Sequence, residues 1–261
     1  MDSEEVSAII SDVRSAVVGI TFYYENEVLA GGSGFVYKGY LISNNHVFNP
    51  KYSQFKPETE VRLRFGDTPQ YANDDVVIRY GSFTPYAGSD QYSYDYIVYK
   101  LPIDTSNRYQ FVLKPDNSYE GQSVLLCGYP FNTKYMTSHV GRISAIFTEN
   151  NVKTLQLDAS VNNGNSGGPL IDIKTKELIG VVTKKRTGLF SEFDDLIKSY
   201  DNNIKVMSSV KANMSIGGID PVKVLIATQE QMKVVSENIK RSSNTGIGFA
   251  HSCDKILAEN L

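Results

Sequence analysis

The stretch DASVNNGNSGGPL, residues 158–170, decides the interpretation of this 261-residue chain. Within it, Ser166 stands directly before two glycines and follows a run rich in asparagine and glycine. Such a composition disfavours regular helix and strand and is typical of a tight turn. A serine on such a turn can direct its hydroxyl into a cleft while neighbouring backbone N–H groups converge on one point. The stretch therefore predicts either an ordinary glycine-rich loop or a reactive serine, and other residues must decide between the two.

Composition and charge exclude several classes of function. Hydrophobic residues make up 41% of the chain and charged residues 21%, with a net charge of −3, so nothing favours a nucleic-acid surface. No apolar run is long enough to predict a membrane span. The acidic start, residues 1–5, lacks the pattern of a signal peptide, which predicts a cytoplasmic protein. The two cysteines, Cys127 and Cys253, are expected to stay reduced, and no Cys/His cluster predicts a metal or cofactor site.

Most of the chain predicts short strands. The predicted strands, rich in β-branched and aromatic residues, cover residues 17–24, 35–37, 40–43, 61–65, 74–80, 96–101, 121–127, 136–147, 152–157, 170–182 and 246–251. Gly31–Gly34 predicts a turn, and the polar stretch 102–119, with two prolines, predicts a linker between two halves. Closely spaced short strands with turn signals favour an all-β barrel or sandwich.

Four segments predict helices instead. Apolar residues recur at helical spacing over 4–16, 190–200 and 222–239, and residues 254–261 fit a terminal helix. Gly217, Gly218 and Pro221 separate the two central helical segments.

Two residues supply the partners that a reactive serine needs. His46 follows a strand-like run and precedes the polar stretch 49–59, and Asp95 stands directly before a strand, where an ordinary Asx turn is the alternative. A histidine can take the serine proton and return it to the leaving group, and an aspartate can fix the imidazole tautomer. The order His46, Asp95, Ser166 is one of the chain orders in which this geometry occurs, which favours catalysis over a plain glycine loop.

Several motifs resemble those of the chymotrypsin-like serine proteases. The runs GSGFVYKGYLISNNHVF (32–48), DYIVYKL (95–101) and DASVNNGNSGGPL are similar to the histidine, aspartate and serine motifs, with the HtrA (Deg) type as the nearest group. The likeness extends to EGQSVLLCGYPF (120–131), TSHVGRISAIF (137–147) and NTGIGFAH (244–251). It covers most of residues 13–186 and 244–253.

The resemblance implies a role for each motif residue. His46 would be the general base, Asp95 would orient it, and Ser166 would be the nucleophile. The backbone N–H groups of Gly164 and Ser166, with Asn165 between them, would form the oxyanion hole.

The resemblance also implies a substrate pocket. Its matching positions are Ser160, Val182, Thr183 and Lys184. Because Ser160 carries no charge, we expect small or medium apolar substrate residues instead of Lys or Arg. Lys184 could favour an acidic substrate residue or simply point to solvent.

The fold implied is two packed antiparallel six-stranded β-barrels with a cleft between them. We expect an N-terminal barrel with a leading helix over 1–110 and a C-terminal barrel over 111–261. A mostly helical insertion, 186–243, interrupts the second barrel where the family has a short loop, and a short helix stands at each end of the chain.

Departures from the family limit what carries over. The family usually carries a PDZ domain after the second barrel, and we do not expect one in this sequence. Residues 1–12 hold no aromatic residue of the kind on which the family's trimers rest, which favours a monomer. The insertion could gate the pocket, bind a partner or cap the barrel. His139 is expected to be structural or exposed. His251 takes the place of an apolar residue of the family and is expected to be non-catalytic.

The leading prediction is a serine endopeptidase that acts on protein or peptide substrates, without nucleic-acid or membrane partners. One alternative is a latent, protease-fold binding protein that acts through residues 186–243. Another is a dedicated processing protease of a virus or particle, which would share the chemistry and differ in substrate.

Overall fold

The computed structural model describes residues 3–50, 55–69, 72–185, 190–209, 217–218, 220–242 and 246–261, with the backbone alone for 184–185, 190–191 and 241–242. The strands are β1 Val17–Tyr24, β2 Glu27–Tyr37, β3 Tyr40–Ser43, β4 Glu60–Phe65, β5 Val76–Arg79, β6 Pro85–Ser89, β7 Tyr96–Lys100, β8 Val112–Leu113, β9 Ser123–Gly128, β10 Thr137–Glu149, β11 Val152–Asp158, β12 Pro169–Asp172, β13 Glu177–Lys185 and β14 Ile247–Ser252. The α-helices are α1 Ser3–Val13, α2 Asn45–Phe48, α3 Phe190–Ser209, α4 Pro221–Ser242 and α5 Asp254–Ala258.

The first sheet joins seven antiparallel strands in the order β5-β4-β1-β2-β3-β7-β6. Within the part of the chain that the structure describes, β5 and β6 form its two edges, so it is a half-barrel. In the pairing of β3 with β7, Ser43 lies opposite Ile97. The chain that leaves β3 and the chain that enters β7 therefore meet at one end of the sheet, which brings His46 and Asp95 together.

The second sheet has the order β12-β9-β10-β11-β14-β13-β8 and an additional β12–β13 pairing. That pairing closes six strands into a barrel, and β8 joins β13 in parallel at the side. Because β8 lies inside the stretch 102–119, the predicted linker contributes a strand to the second sheet. The all-β class with two sheets is confirmed, while the boundary at residue 110 stays a prediction.

Alternating apolar residues build the two cores. Fully buried Phe22 packs edge-to-face on Phe48 and stacks on Phe55 at 4.2 Å between ring centroids, inside the first sheet. The barrel core holds Leu126, Ile143 and other aliphatic residues of the second sheet. Since strand side chains alternate between faces, these apolar positions set the register of each strand.

Residues 187–245 form a compact unit of their own, distinct from 1–186 with 246–261. Helices α3 and α4 pack on each other, and the ion pair from Lys233 Nζ to Asp201 Oδ1, 2.6 Å, joins them. The predicted helical insertion is thus confirmed as helical, as are the helices at both ends of the chain. Among the described residues, no helix is both long enough and apolar enough to span a membrane.

The turn predicted at Gly31–Gly34 is wrong, because β2 runs through these residues. The glycines serve close packing instead of chain reversal. A Cβ on Gly31 would lie 2.2 Å from Asn132 Oδ1, and one on Gly32 would lie 2.7 Å from Val47. Local composition alone does not distinguish a glycine in a turn from a strand glycine that lets another residue pack closely against the backbone.

Candidate active site

His46 and Asp95 form a direct side-chain pair. His46 lies on the one-turn helix α2, and its Nδ1 is 2.6 Å from Asp95 Oδ2. Because a carboxylate oxygen only accepts, this Nδ1 carries the hydrogen, and in neutral histidine Nε2 is then the free base. His46 keeps a third of its side chain exposed while that of Asp95 is 4% exposed, so the base can meet a substrate and its partner stays dry.

Asp95 is held by several further hydrogen bonds. Its Oδ1 accepts the backbone N–H of His46 at 3.0 Å, and its Oδ2 also accepts the Thr183 hydroxyl at 3.0 Å. Its backbone carbonyl accepts Asn44 Nδ2 at 2.7 Å. A buried carboxylate needs such donors, and together they fix its orientation toward the histidine.

Ser166 lies on the glycine turn that the sequence predicts. Gly164 and Gly167 have φ of +98° and +88°, a region that only glycine adopts easily. A Cβ on Gly167 would lie 2.1 Å from the carbonyl oxygen of Ser33. Both glycines are therefore required by the turn and by close backbone contacts, Gly164 with Tyr129 and Gly167 with Ser33 of β2.

Strand β2 holds this turn through Ser33, a residue that sequence reasoning missed. The Ser33 amide donates to the carbonyl of Ser166 at 2.8 Å, and its buried hydroxyl donates to the carbonyl of Gly164 at 2.6 Å. The same hydroxyl accepts the amide of Tyr129 at 2.8 Å. The serine between glycines is a usable signal, but the composition of residues 31–34 predicts a turn and not a support for Ser166.

The hydroxyl of Ser166 donates to the backbone carbonyl of Thr183, 2.7 Å away. Within the described part of the chain, no hydrogen bond joins Ser166 Oγ to His46. Thr183 nevertheless links the two halves, since its own hydroxyl binds Asp95. The three sequence-predicted residues thus converge on one region, with the serine in a conformation turned toward Thr183.

Backbone hydrogen bonds hold the predicted oxyanion-hole segment. The carbonyl of Asn163 accepts the amide of Phe131 at 2.6 Å. Because a trans peptide points its C=O and N–H in opposite directions, the N–H of Gly164 faces away from Phe131. The buried Asn165 donates its backbone N–H to Asn162 at 3.0 Å, which supports the turn.

The predicted pocket residues differ in what they contribute. Ser160 is exposed, so it does not form an enclosed floor, while Val182 is fully buried and contributes backbone bonds to Gly167 and Gly168 instead of a pocket wall. The side chain of Lys184 lies outside the described residues. Val161, which follows Ser160, is buried. It packs so closely on Gly248 that a Cβ added to Gly248 would lie 2.2 Å from the Val161 side chain.

Neither cysteine is a suitable alternative nucleophile. Burial raises the pKa of the Cys127 thiol to about 11, and it also raises the pKa of Cys253. A thiol that stays protonated and buried reacts poorly.

Comparison with known proteins identifies the family of the chain. A family model described as a trypsin-like peptidase domain matches residues 32–181. The serine protease Do-like HtrA of Bacillus subtilis is 26% identical over 215 residues, which are 70% of this chain and 43% of that protein. A serine protease HtrA-like protein of Staphylococcus aureus is 30% identical over 172 residues, 59% of this chain and 20% of that one. The chain thus spans less than half the length of these relatives.

Solved structures agree on the fold. A serine endoprotease from Yersinia pestis has a TM-score of 0.52 and 25% identity, over 71% of this chain and 58% of that one. The HtrA-type protease AlgW, solved with a tripeptide, has a TM-score of 0.57 and 22% identity, over 97% of this chain and 61% of that one. The second of these likenesses concerns the fold alone.

Proposed function

The chain belongs to the trypsin-like peptidase domain family, and we propose that it is a serine endopeptidase that uses His46, Asp95 and Ser166. The observation that carries this proposal is the bond between His46 Nδ1 and Asp95 Oδ2. It leaves Nε2 as the base on a partly exposed imidazole. Thr183 links Asp95 to Ser166 on the glycine turn. The family match supports the same reaction class.

The reaction would proceed through an acyl-enzyme. His46 Nε2 takes the proton of Ser166, and Oγ attacks the carbonyl carbon of the scissile peptide bond. The N–H groups of Gly164 and Ser166 stabilise the oxyanion that forms. His46 then gives its proton to the leaving amine as the C–N bond breaks, and water resolves the ester by the same route.

Before this step Ser166 must leave the carbonyl of Thr183. Rotation about its χ1 moves Oγ between staggered positions, exchanging one hydrogen bond for another. Such side-chain rotations are fast compared with typical turnover, so we expect the observed orientation to slow catalysis little.

We further propose a preference for small or medium apolar substrate residues. Ser160 brings no charge, and Val161 fills the space against Gly248. A peptide library should therefore give its best cleavage after residues such as Ala or Val. Preferred cleavage after Lys or Arg would contradict this part of the proposal.

The direct test is labelling with a fluorophosphonate probe, combined with hydrolysis of the best library peptide. We expect Ser166→Ala to abolish labelling and to lower kcat by about 10⁵–10⁶-fold, because the nucleophile is removed. Ser144→Ala, which changes an exposed serine of β10, should behave as wild type. Folded wild-type protein that is neither labelled nor active would overturn the proposal.

The bond from Ser166 to Thr183 favours a second candidate, a latent protein that acts by binding through residues 186–243. Deletion of 188–243 separates the two. Lys185 lies opposite Gly248 in the β13–β14 pairing, so the chain leaves and re-enters at neighbouring positions that a short Gly-Ser turn can join. The two cores contain no described residue of the insertion, so the variant should fold.

The two candidates predict opposite outcomes for that variant. A serine endopeptidase with a structural insertion keeps its labelling rate and its kcat within about threefold of wild type. If the protein is latent, one outcome is that the deletion variant is labelled although the wild type is not. The other is that neither protein is labelled and the variant no longer binds the partner.

A further inference from the structure

The histidine at the end of β14 contacts the segment that carries Asp95. His251 pairs with Thr154 of β11 and with Val181 of β13, and it is 8% exposed. Its ring lies edge-on to Tyr94, with 6.4 Å between ring centroids. It therefore reaches from the second barrel to the residue that precedes Asp95.

His251 Nδ1 is 3.0 Å from the backbone carbonyl oxygen of Tyr94. Because a carbonyl only accepts, this nitrogen carries a hydrogen and donates it. The bond spans a sequence distance of 157 residues and joins the two sheets.

The carbonyl of Tyr94 and the N–H of Asp95 belong to a single peptide plane. The N–H donates to the carbonyl of Asp90 at 3.0 Å, while the C=O accepts from His251. Both polar ends of this plane are thereby fixed, one by the preceding turn and one by the second barrel.

A fixed plane matters here because Asp95 has a φ of +48°. This left-handed conformation is uncommon for a residue other than glycine, so contacts that hold the backbone on both sides help to keep it. Relaxation of φ would rotate the carboxylate away from His46 Nδ1 and from the backbone amide of His46. The contact with His251 opposes that relaxation from one side and the contact with Asn44 opposes it from the other.

We propose that His251 is a positioning residue that acts through Asp95. Its Nδ1–H holds the Tyr94–Asp95 peptide in the orientation that aims the carboxylate at His46. This inference rests on the proposed serine peptidase function for its kinetic consequence, but its structural consequence can be measured without turnover.

Three substitutions separate the hydrogen bond from packing. His251→Leu keeps a side chain of similar bulk but lacks the donor. His251→Asn places an amide N–H near the position of Nδ1, and His251→Gln places one near the position of Nε2. We expect kcat to fall about tenfold in His251→Leu and His251→Gln with KM within twofold, and to return to within about threefold of wild type in His251→Asn.

The rate of fluorophosphonate labelling should fall and return in parallel with kcat. Equal kcat in wild type and His251→Leu would overturn the proposal. Equal losses in all three variants would also overturn it, because packing and not the Nδ1–H would then be responsible.

A proton NMR measurement tests the same contact without any reaction. The hydrogen between His46 Nδ1 and Asp95 resonates far downfield because the bond is short. We expect this resonance to shift upfield or broaden in His251→Leu and to be kept in His251→Asn. An unchanged resonance in His251→Leu counts against the positioning role of His251. A wild-type protein that shows the resonance but is neither labelled nor active counts against the peptidase function alone.

Discussion

The two halves of the candidate active site differ in how their reactive groups are held. On the first sheet, His46 and Asp95 already make the side-chain bond that the proposed mechanism needs. Four further donors reach Asp95, from Asn44, Asn45, Thr183 and the backbone of His46. On the second sheet, the backbone around Ser166 is fixed as firmly, but its hydroxyl binds the carbonyl of Thr183. The proposed acid–base pair is already hydrogen-bonded, whereas the hydroxyl of the proposed nucleophile is bound elsewhere.

This difference follows from the number of bonds that each group can make. The Asp95 carboxylate has two oxygens with several acceptor sites, so neighbouring donors determine its orientation jointly. The Ser166 hydroxyl has a single hydrogen to donate, so any nearby acceptor competes for it. A substrate that approaches the turn changes this competition without moving the backbone.

Among substitutions that keep His46, Asp95 and Ser166, we expect the largest loss of kcat from removing a side chain that supports the backbone around Ser166. Ser33→Ala removes the hydroxyl that binds Gly164 and Tyr129, so the oxyanion N–H of Gly164 loses its support. We expect kcat to fall about 10–100-fold, measured by peptide hydrolysis, with KM changed little. Ser43→Ala, which removes only a bond to the Ser33 carbonyl, is the matched control and should lose less.

A smaller effect is expected where the two halves join. Thr183→Val removes the hydroxyl that binds Asp95 but keeps the carbonyl that accepts from Ser166. We expect kcat/KM to fall about tenfold because the carboxylate loses one of its buried donors. Thr183→Ser restores a hydroxyl and should restore most of the rate. A Thr183→Val variant as active as wild type would show that the other hydrogen bonds are sufficient to hold Asp95 without Thr183.

The smallest predicted effect is on the pH dependence of stability, and it concerns His139, a histidine outside the candidate active site. Burial lowers the pKa of His139 below its usual value of 6.5. Between the two values the unfolded chain binds more protons, so the free energy of unfolding decreases as the pH falls through 6.5. We expect His139→Gln to reduce the loss of Tm between pH 7 and pH 5 by on the order of 1–3 °C. If Tm changes with pH in the same way in wild type and His139→Gln, His139 is not responsible for this part of the pH dependence.

Local sequence was enough for much of the fold. Helices α3 and α4 appear where apolar spacing predicts them, and Asp95 directly precedes β7 as expected. The glycines around Ser166 adopt the positive φ that a tight turn demands. These features depend on neighbours in the chain, and for that reason composition and spacing can report them.

Features that depend on distant residues were not predictable in this way. Gly31–Gly34 continues β2 because Asn132 and Val47 leave no room for side chains. Ser33 becomes a support of the serine turn only when β2 lies against it. The exposure of Ser160 and the burial of Val161 likewise depend on where Gly248 of β14 packs.

The sequence by itself determined the class of fold and predicted the three side chains of the proposed triad, because each carries a local pattern that few other structures produce. Only the tertiary structure decided which hydrogen bonds those side chains make. The serine hydroxyl faces Thr183, and the peptide before Asp95 is gripped by His251, a residue 157 positions away along the chain. Hydrogen bonds of this kind depend on distances of tenths of an ångström between remote segments, and spacing along the chain carries no information at that scale.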